Sequence, residues 1–220
     1  MTSADNSSAT SADTPKFTGV STYQDPVGRF SVRYPDDWQR FEIKESVPKK
    51  RRRSARLAMA KKAREDNPLP VREGFGVAPD PDDPHTTFTA WVSPLSTSVV
   101  AEDIEELRLG VDAGLAQLAG CTVERASEDV ISNLIKFERV YTFQDGDAVR
   151  KRRQWLLYVD TWLMCLTWQG SNPRAYQYWL AMVNYSFHTF ELPHALWFAT
   201  DRDLAGARGA APHAAGQSTT

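Results

Sequence analysis

The sequence has few cysteines and histidines and no long apolar run. Its 220 residues include two cysteines, Cys121 and Cys165, and four histidines. Two cysteines do not make the disulfide framework of a small secreted protein, so we expect both to be small core residues. No window approaches about eighteen consecutive apolar residues, so we expect no membrane span. The N-terminal stretch lacks the basic start and apolar run of a secretory signal, and we expect a soluble, cytoplasmic protein.

Motifs that indicate catalysis or a bound cofactor are also missing. The sequence has no glycine-rich phosphate loop, nucleophile elbow, His-Glu-x-x-His or paired Cys-x-x-Cys. His188 and His194 match no standard metal-ligand spacing. The aspartates at 80, 82 and 83 lack the glycine and the downstream glutamate of a calcium loop, so we interpret them as a solvated, proline-rich turn. We expect no catalytic residue, no metal site and no cofactor.

Composition predicts one domain with polar ends. A hydrophobic content of 41%, with seven Trp and ten Phe, supplies one core, and the net charge of −2 argues against a global attraction to nucleic acid or membranes. Residues 1–19 and 201–220 are polar or small, which predicts disordered tails around a single domain over residues 20–200. Residues 47–84 combine a basic run with repeated Pro and Gly, which predicts a flexible excursion outside the sheet.

The most informative stretch is residues 28–38. Phe30, Val32 and Tyr34 alternate with polar residues, which predicts a half-buried strand that stops at Pro35. A tight turn over two aspartates then directs Trp38 toward the core. This order of a glycine, an aromatic strand, Tyr-Pro, an acidic turn and Trp resembles the opening of PsbP-like domains, the fold shared by the photosystem II extrinsic protein and the Mog-type Ran-binding factor.

Further elements follow from spacing. Ser98 is a candidate cap for a helix with an apolar stripe at Ile104, Leu107, Val111, Leu115 and Leu118. Residues 121–169 predict a meander of four antiparallel strands, 121–130, 133–143, 148–159 and 161–168, with a hairpin at Asp145-Gly146. Asn172 caps a second helix that has Pro173 in its first turn. The last strand is apolar on both faces, so we expect a helix on each side of the sheet.

These elements predict an α+β fold, a three-layer α/β/α sandwich on a mainly antiparallel sheet. The element order over about residues 20–190 is similar to that of PsbP-like domains. Because that family consists mostly of binding modules, the resemblance implies a binding role rather than catalysis. The basic insertion and the aromatic extension over 188–198 depart from the family pattern, and we expect the extension to fold back over a sheet edge or helix groove rather than form a binding site.

The sharpest local feature is a run of nine cations with no acidic residue among them. These candidate partner-binding residues are Lys49, Lys50, Arg51, Arg52, Arg53, Arg56, Lys61, Lys62 and Arg64. They indicate either a contact surface for phosphate or an acidic partner, or a solvated loop. A second basic cluster, residues 150–153, alternates between two faces of a strand, so only half of it can join one patch; we favour a charged hairpin end that resists edge aggregation.

Our leading hypothesis is a non-enzymatic adaptor or accessory subunit that binds another protein, with the basic segment tuning the contact electrostatically. The alternative is a sequence-nonspecific binder of nucleic acid or an anionic surface through residues 49–64. A third hypothesis is a small-molecule binder or enzyme with its site between the sheet and a helix.

Overall fold

The structure, a computed structural model, describes residues 15–46, 71–194 and Leu196. The strands are β1 (Val20–Gln24), β2 (Ser31–Pro35), β3 (Gln39–Ser46), β4 (Val71–Ala78), β5 (Thr87–Val99), β6 (Thr122–Ile131), β7 (Leu134–Asp145) and β8 (Ala148–Gly170). The helices are α1 (Ile104–Leu115), α2 (Pro173–Tyr178) and α3 (Leu180–His188). Strands β1 and β2 form a small sheet, and the others form a sheet in the order β3-β4-β5-β8-β7-β6. All strand pairs are antiparallel, so the fold is a mainly antiparallel sheet with few helices.

The predicted opening strand is confirmed. Phe30, Val32 and Tyr34 are buried, and Trp38, which follows the turn over Asp36 and Asp37, is only 4% exposed. Strand β2 pairs with β1, which precedes it in the chain, whereas β3 pairs with β4. The turn after Pro35 therefore carries the chain from the small sheet to the edge of the large one.

Strand β4 corrects part of the predicted excursion over residues 47–84. It pairs with β3 on one side and β5 on the other, and its Phe75 and Val77 are fully buried. Gly74 and Gly76 resemble loop residues in the sequence, but the strand requires them. A β-carbon at 76 would overlap the ring of Phe41, and one at 74 would overlap the backbone of the neighbouring strand. Residues 47–70 lie outside the described part of the chain.

Strand β8 folds back on itself near Asp160, which has a positive φ of 50°. The side chain of Arg152 donates to Gln169 Oε1 at 3.1 Å, although an extended stretch between them would span roughly 55 Å. The first half of β8 pairs with β7 and the second half with β5. The prediction of two separate strands, 148–159 and 161–168, is therefore confirmed, although the extended backbone continues through the fold-back.

Helix α1 has the predicted apolar stripe but a different start. Ile104, Leu107 and Val111 pack with Ile135 and Phe137 of β7. Leu115 and Leu118 pack with Tyr141 and Phe143 in a neighbouring cluster. Ser98 is not the cap, because it lies in β5 and its hydroxyl donates to Asp160 Oδ1 at 2.9 Å. A short 3-10 turn over Ala101–Asp103 precedes the helix, and the Asp103 carboxylate accepts from the backbone N–H of Val100.

The second predicted helix is confirmed and is divided in two at Trp179. Asn172 Oδ1 accepts from the backbone N–H groups of Arg174 and Ala175, both at 3.0 Å, as expected of a helix cap. The stripe of Tyr176, Leu180, Val183 and Phe187 packs into the main core, which also holds Phe88 and Trp168. Helices α2 and α3 thus pack against strands β5 and β8.

The C-terminal extension folds back over the small sheet as far as it is described. Phe190 contacts Phe30 with ring centroids 5.6 Å apart, and Glu191 pairs with Ser31 through backbone hydrogen bonds. Trp197 and Phe198 lie outside the described residues, as do 1–14 and 201–220 of the predicted tails. In the described ranges, every helix is too short or too polar to cross a bilayer.

Candidate protein-binding surface

The nine cations from Lys49 to Arg64 lie outside the described residues, but the structure fixes where their segment joins the fold. It connects the last residue of β3 to the first residue of β4. These residues, Ser46 and Val71, are paired across the two strands, and paired Cα atoms lie about 4.5–5.5 Å apart. Ser46 and Val71, the residues on either side of 47–70, therefore lie side by side at one end of the outermost hairpin of the sheet.

The face of the sheet beside this hairpin, here called the open face, is exposed at Phe41 and becomes buried toward Cys165. Two rows of residues cross the sheet there from β3 to the second half of β8. One row is Phe41, Gly76, Thr89 and Thr167, and the next is Ile43, Gly74, Trp91 and Cys165. These eight positions hold no charged side chain, whereas the residues that alternate with them on β4 and β5 point into the main core.

Helix α1 does not extend over the open face. Among the described residues, its apolar contacts are with β7, the first half of β8 and the end of β5, and they include no residue of β3 or β4. The side chain of Phe41 is 40% exposed and that of Trp91 is half-buried. In the described part of the chain, the open face is thus a partly apolar sheet surface without a covering helix.

Glycines and an arginine hold the two aromatic rings in place. Gly76 lies directly under the Phe41 ring, and Gly74 lies beside the backbone of Trp91. The Arg72 guanidinium is positioned over the Trp91 indole, with 4.7 Å between Cζ and the ring centroid. A positive charge stacked on an aromatic ring beside exposed apolar surface is suited to bind a partner that carries apolar and acidic groups.

The second basic cluster, residues 150–153, divides between two faces as predicted, and its members have intramolecular partners. Lys151 Nζ pairs with Glu124 at 2.5 Å, and Arg153 donates to Glu138 at 2.9 Å and to Asn184 at 2.6 Å. On the other face, Arg150 pairs with Asp145, and Arg152 donates to Tyr141 and Gln169. These contacts tie β8 to its neighbours.

The aspartate turn has a structural role in the fold. Asp83 accepts from the hydroxyls of Thr86 and Ser171, both at 2.6 Å, and so connects the β4–β5 turn to the start of α2. Burial alone would raise the pKa of Asp83, but the hydrogen bonds from Ser171 and Thr86 outweigh it, and the pKa lies below its ordinary value. Within the described residues, no group of three or more His, Cys, Asp or Glu side chains is placed to hold a metal ion.

The cysteines lie in environments that disfavour thiolate chemistry. Cys165 is fully buried, and burial raises the pKa of its thiol. Its sulfur is in hydrogen-bond contact with Gln154 and Thr167, neighbours on the same face of the sheet. Cys121 is partly exposed, and burial raises the pKa of its thiol as well. Both thiols are therefore neutral at physiological pH, as expected of packing residues.

Comparisons with known proteins find structural likeness but no relative by sequence. No protein-family model matches the chain, and no curated protein matches it. The chain is similar to PsbP of the cyanobacterium Synechocystis sp. PCC 6803, with 10% identity and a TM-score of 0.48 over 81% of this chain and 95% of that one. It is also similar to LpqN, which is involved in cell envelope biogenesis of Mycobacterium tuberculosis, with 13% identity and a TM-score of 0.49 over 80% and 91%.

A third similar structure is the T6SS immunity protein TplEi of Pseudomonas aeruginosa, complexed with a peptide. It shares 12% identity with the chain at a TM-score of 0.42, over 80% of this chain and 99% of that one. At these values nothing about activity or partners follows from the likeness. One of these structures, PsbP, bears the name of the family that residues 28–38 resemble.

Proposed function

We propose that the protein is a non-catalytic adaptor or accessory subunit that binds another protein through its open face. The observation that carries the proposal is the aromatic pair Phe41 and Trp91 on a sheet surface without a covering helix in the described residues. Exposed aromatic side chains contribute strongly to protein interfaces because they bury much area with little loss of conformational freedom. Gly76 beneath the Phe41 ring and Gly74 beside the Trp91 backbone would keep this apolar surface flat.

The basic segment supplies the charge of the proposed interface. The strand residues Ser46 and Val71, between which residues 49–64 lie in the sequence, are placed beside the open face. Nine cations without an acidic residue repel one another, so a complementary acidic surface on the partner relieves that repulsion. We therefore propose an acidic protein partner, with Lys49, Lys50, Arg51, Arg52, Arg53, Arg56, Lys61, Lys62 and Arg64 accelerating the encounter.

We also propose the three-layer α/β/α arrangement and the cytoplasmic location. Support for three layers comes from β7, where Ile135 and Phe137 contact the cluster of α1, while the alternating residue Leu134 packs against the cluster of α2 and α3. Adjacent residues of a strand point to opposite faces. The cytoplasmic location stays a prediction from the sequence.

The experiment begins with the tagged full-length chain, which is used to purify a partner from its native cells. Two variants are then compared with the wild type for binding kinetics. Trp91→Ala should raise the dissociation rate about 30-fold, the effect of a hot-spot residue worth about 2 kcal/mol. Replacing Lys49, Lys50, Arg51, Arg52 and Arg53 together with Ser should instead lower the association rate in low salt and leave the melting temperature unchanged.

Matched controls separate these effects from general damage. Val27→Ala removes an apolar side chain that is 72% exposed on the β1–β2 turn, away from the open face. Arg108→Gln removes a positive charge on α1, and neither control should change either rate. A partner that dissociates from Trp91→Ala as slowly as from the wild type would contradict the proposed surface. A steep loss of affinity with salt, with nucleic acid or anionic vesicles as the ligand, would favour the alternative function.

A further inference from the structure

Strand β6 forms the second edge of the large sheet and is exposed on both of its faces. Nine of its ten residues are exposed, and Glu128 is half-buried. The exposed positions include the apolar residues Val123, Val130 and Ile131, at 45%, 44% and 49%. An edge strand with open main-chain groups and apolar side chains is able to pair with another strand.

The charges beside β6 are unbalanced on the face toward α3. The Glu138 carboxylate of β7 is almost fully buried, and its Oε1 atom accepts from both Arg125 of β6 and Arg153 of β8. Two guanidinium groups thus share one buried carboxylate, although the Arg125 side chain itself is 59% exposed. Lys151, paired with Glu124, lies in the same groove of about 320 Å³, so three cations there face two carboxylates. One further carboxylate would balance the groove.

The sequence of β6 is complementary to its own reverse. In an antiparallel pairing of two copies centred on Ser127, Arg125 of each copy lies opposite Asp129 of the other, and these residues share a face in β6. Moving each copy by one residue in register, so that Glu128 is at the centre, places two glutamates opposite each other. The Ser127-centred register also brings Val130 and Ile131 of each copy next to Val123 of the other.

Asp129 is able to supply the carboxylate that the groove lacks. Its side chain is 53% exposed, and its contact with Lys136 is 3.6 Å long, beyond hydrogen-bond distance. We propose that two copies of this chain pair through β6 about a two-fold axis at Ser127, so that the sheets continue across the dimer. In this dimer, Asp129 of each copy binds Arg125 of the other. Two carboxylates, Glu138 and the second copy's Asp129, then balance the two guanidinium groups that Glu138 alone balances in the single chain.

Charge exchange tests the proposal with the full-length chain in sedimentation experiments. The wild type should sediment as a dimer, with twice the 24.7 kDa mass of one chain, over a concentration range that reaches about 100 μM. Arg125→Asp and Asp129→Arg should each weaken the dimer about tenfold or more, because like charges then lie opposite at two positions. An equimolar mixture of the two variants should dimerise again, since each variant complements the other.

A second pair of variants replaces no residue that forms an ion pair in the single chain. Ser127→Lys and Ser127→Glu change the residue at the two-fold axis. Each should be monomeric alone, and the mixture should form a heterodimer. A wild type that sediments as one chain over this range, variants that dimerise as the wild type does, or mixtures in which folded variants stay apart would each overturn the proposal. Circular dichroism is used to check that each variant is folded.

Discussion

Trp38 and Trp168 stack with their ring centroids 6.0 Å apart and their planes inclined by 26°. Trp179, at the junction of α2 and α3, contacts Trp38 edge-on at 5.8 Å. The indole N–H of Trp168 donates to the backbone carbonyl of Tyr176 at 3.2 Å. These rings join the residue after the opening turn, the end of β8 and the helical pair, so three distant segments depend on one another.

Truncation of either stacked tryptophan should destabilise the protein strongly. Trp38→Ala or Trp168→Ala leaves a cavity in the main core and should lower the free energy of unfolding by about 3–5 kcal/mol. Thermal and urea unfolding measure the loss. Leu109→Ala, which removes a side chain that is 63% exposed on α1, is the control and should change stability little. A melting temperature of Trp168→Ala within a degree or two of the wild type would show that this packing is not needed.

Gly76→Ala should destabilise the fold through one neighbour, because the new β-carbon would overlap the Phe41 ring. We expect a loss of about 1–3 kcal/mol, the range for an overpacked site. In a Phe41→Ala background the same change should cost much less, which makes the two residues a double-mutant cycle. Gly110→Ala on α1 meets no atom within 4 Å and should stabilise the helix by about 0.5–1 kcal/mol. Equal costs of Gly76→Ala in both backgrounds would contradict the overlap.

Asp83 should make stability depend on pH in the acid range. Its pKa is lower in the folded protein than its ordinary value of 3.8, so its contribution is present above that pH and is lost as the pH falls through the folded pKa. Asp83→Ala should cost about 1–3 kcal/mol at pH 7, because the hydroxyls of Thr86 and Ser171 lose their acceptor. The gap between variant and wild type should narrow below pH 3.8. Asp82→Ala, at an exposed residue of the same turn, is the control and should change stability little.

Limited trypsin digestion should cut first between Lys49 and Arg72. This prediction depends on the composition of the basic and Pro-containing segment, and the resistant product should keep the three helices and the strands from β5 onward. Mass spectrometry identifies the first fragments. Initial cuts within 121–169, where β6, β7 and β8 lie, would contradict the predicted division of the chain.

Much of the fold was predictable where the sequence pattern was local. The alternation of residues 28–34, the Asp145-Gly146 hairpin and the Asn172 cap each depend on neighbours a few residues away. Strand β4 was missed because Gly74 and Gly76 look like loop residues until their partners on β3 and β5 are known. Ser98 was misassigned because a serine before an acidic stretch fits a helix cap equally well, and its actual partner, Asp160, is 62 residues away.

The candidate surfaces were less predictable than the fold. Trp91 lies in β5, and its row with Ile43, Gly74 and Cys165 depends on the register of four strands. The alternation of residues 150–153 between two faces could be predicted from the sequence. The contacts of Glu138 with both Arg125 and Arg153 could not, because they join three strands. The charge run at 49–64 was the sharpest local signal in the sequence, and it lies outside the described residues.

The fold-back of β8 at Asp160 has a consequence for the order in which the protein folds. Strands β6, β7 and the two halves of β8 are consecutive in the chain, so their hairpins close loops of only a few residues and should form early. The pairing of β5 with the second half of β8 joins residues such as Thr89 and Thr167, which are far apart in sequence. We therefore expect the pairing of β5 with the second half of β8 to be the late, rate-limiting step of folding. The open face is then the last part of the sheet to form.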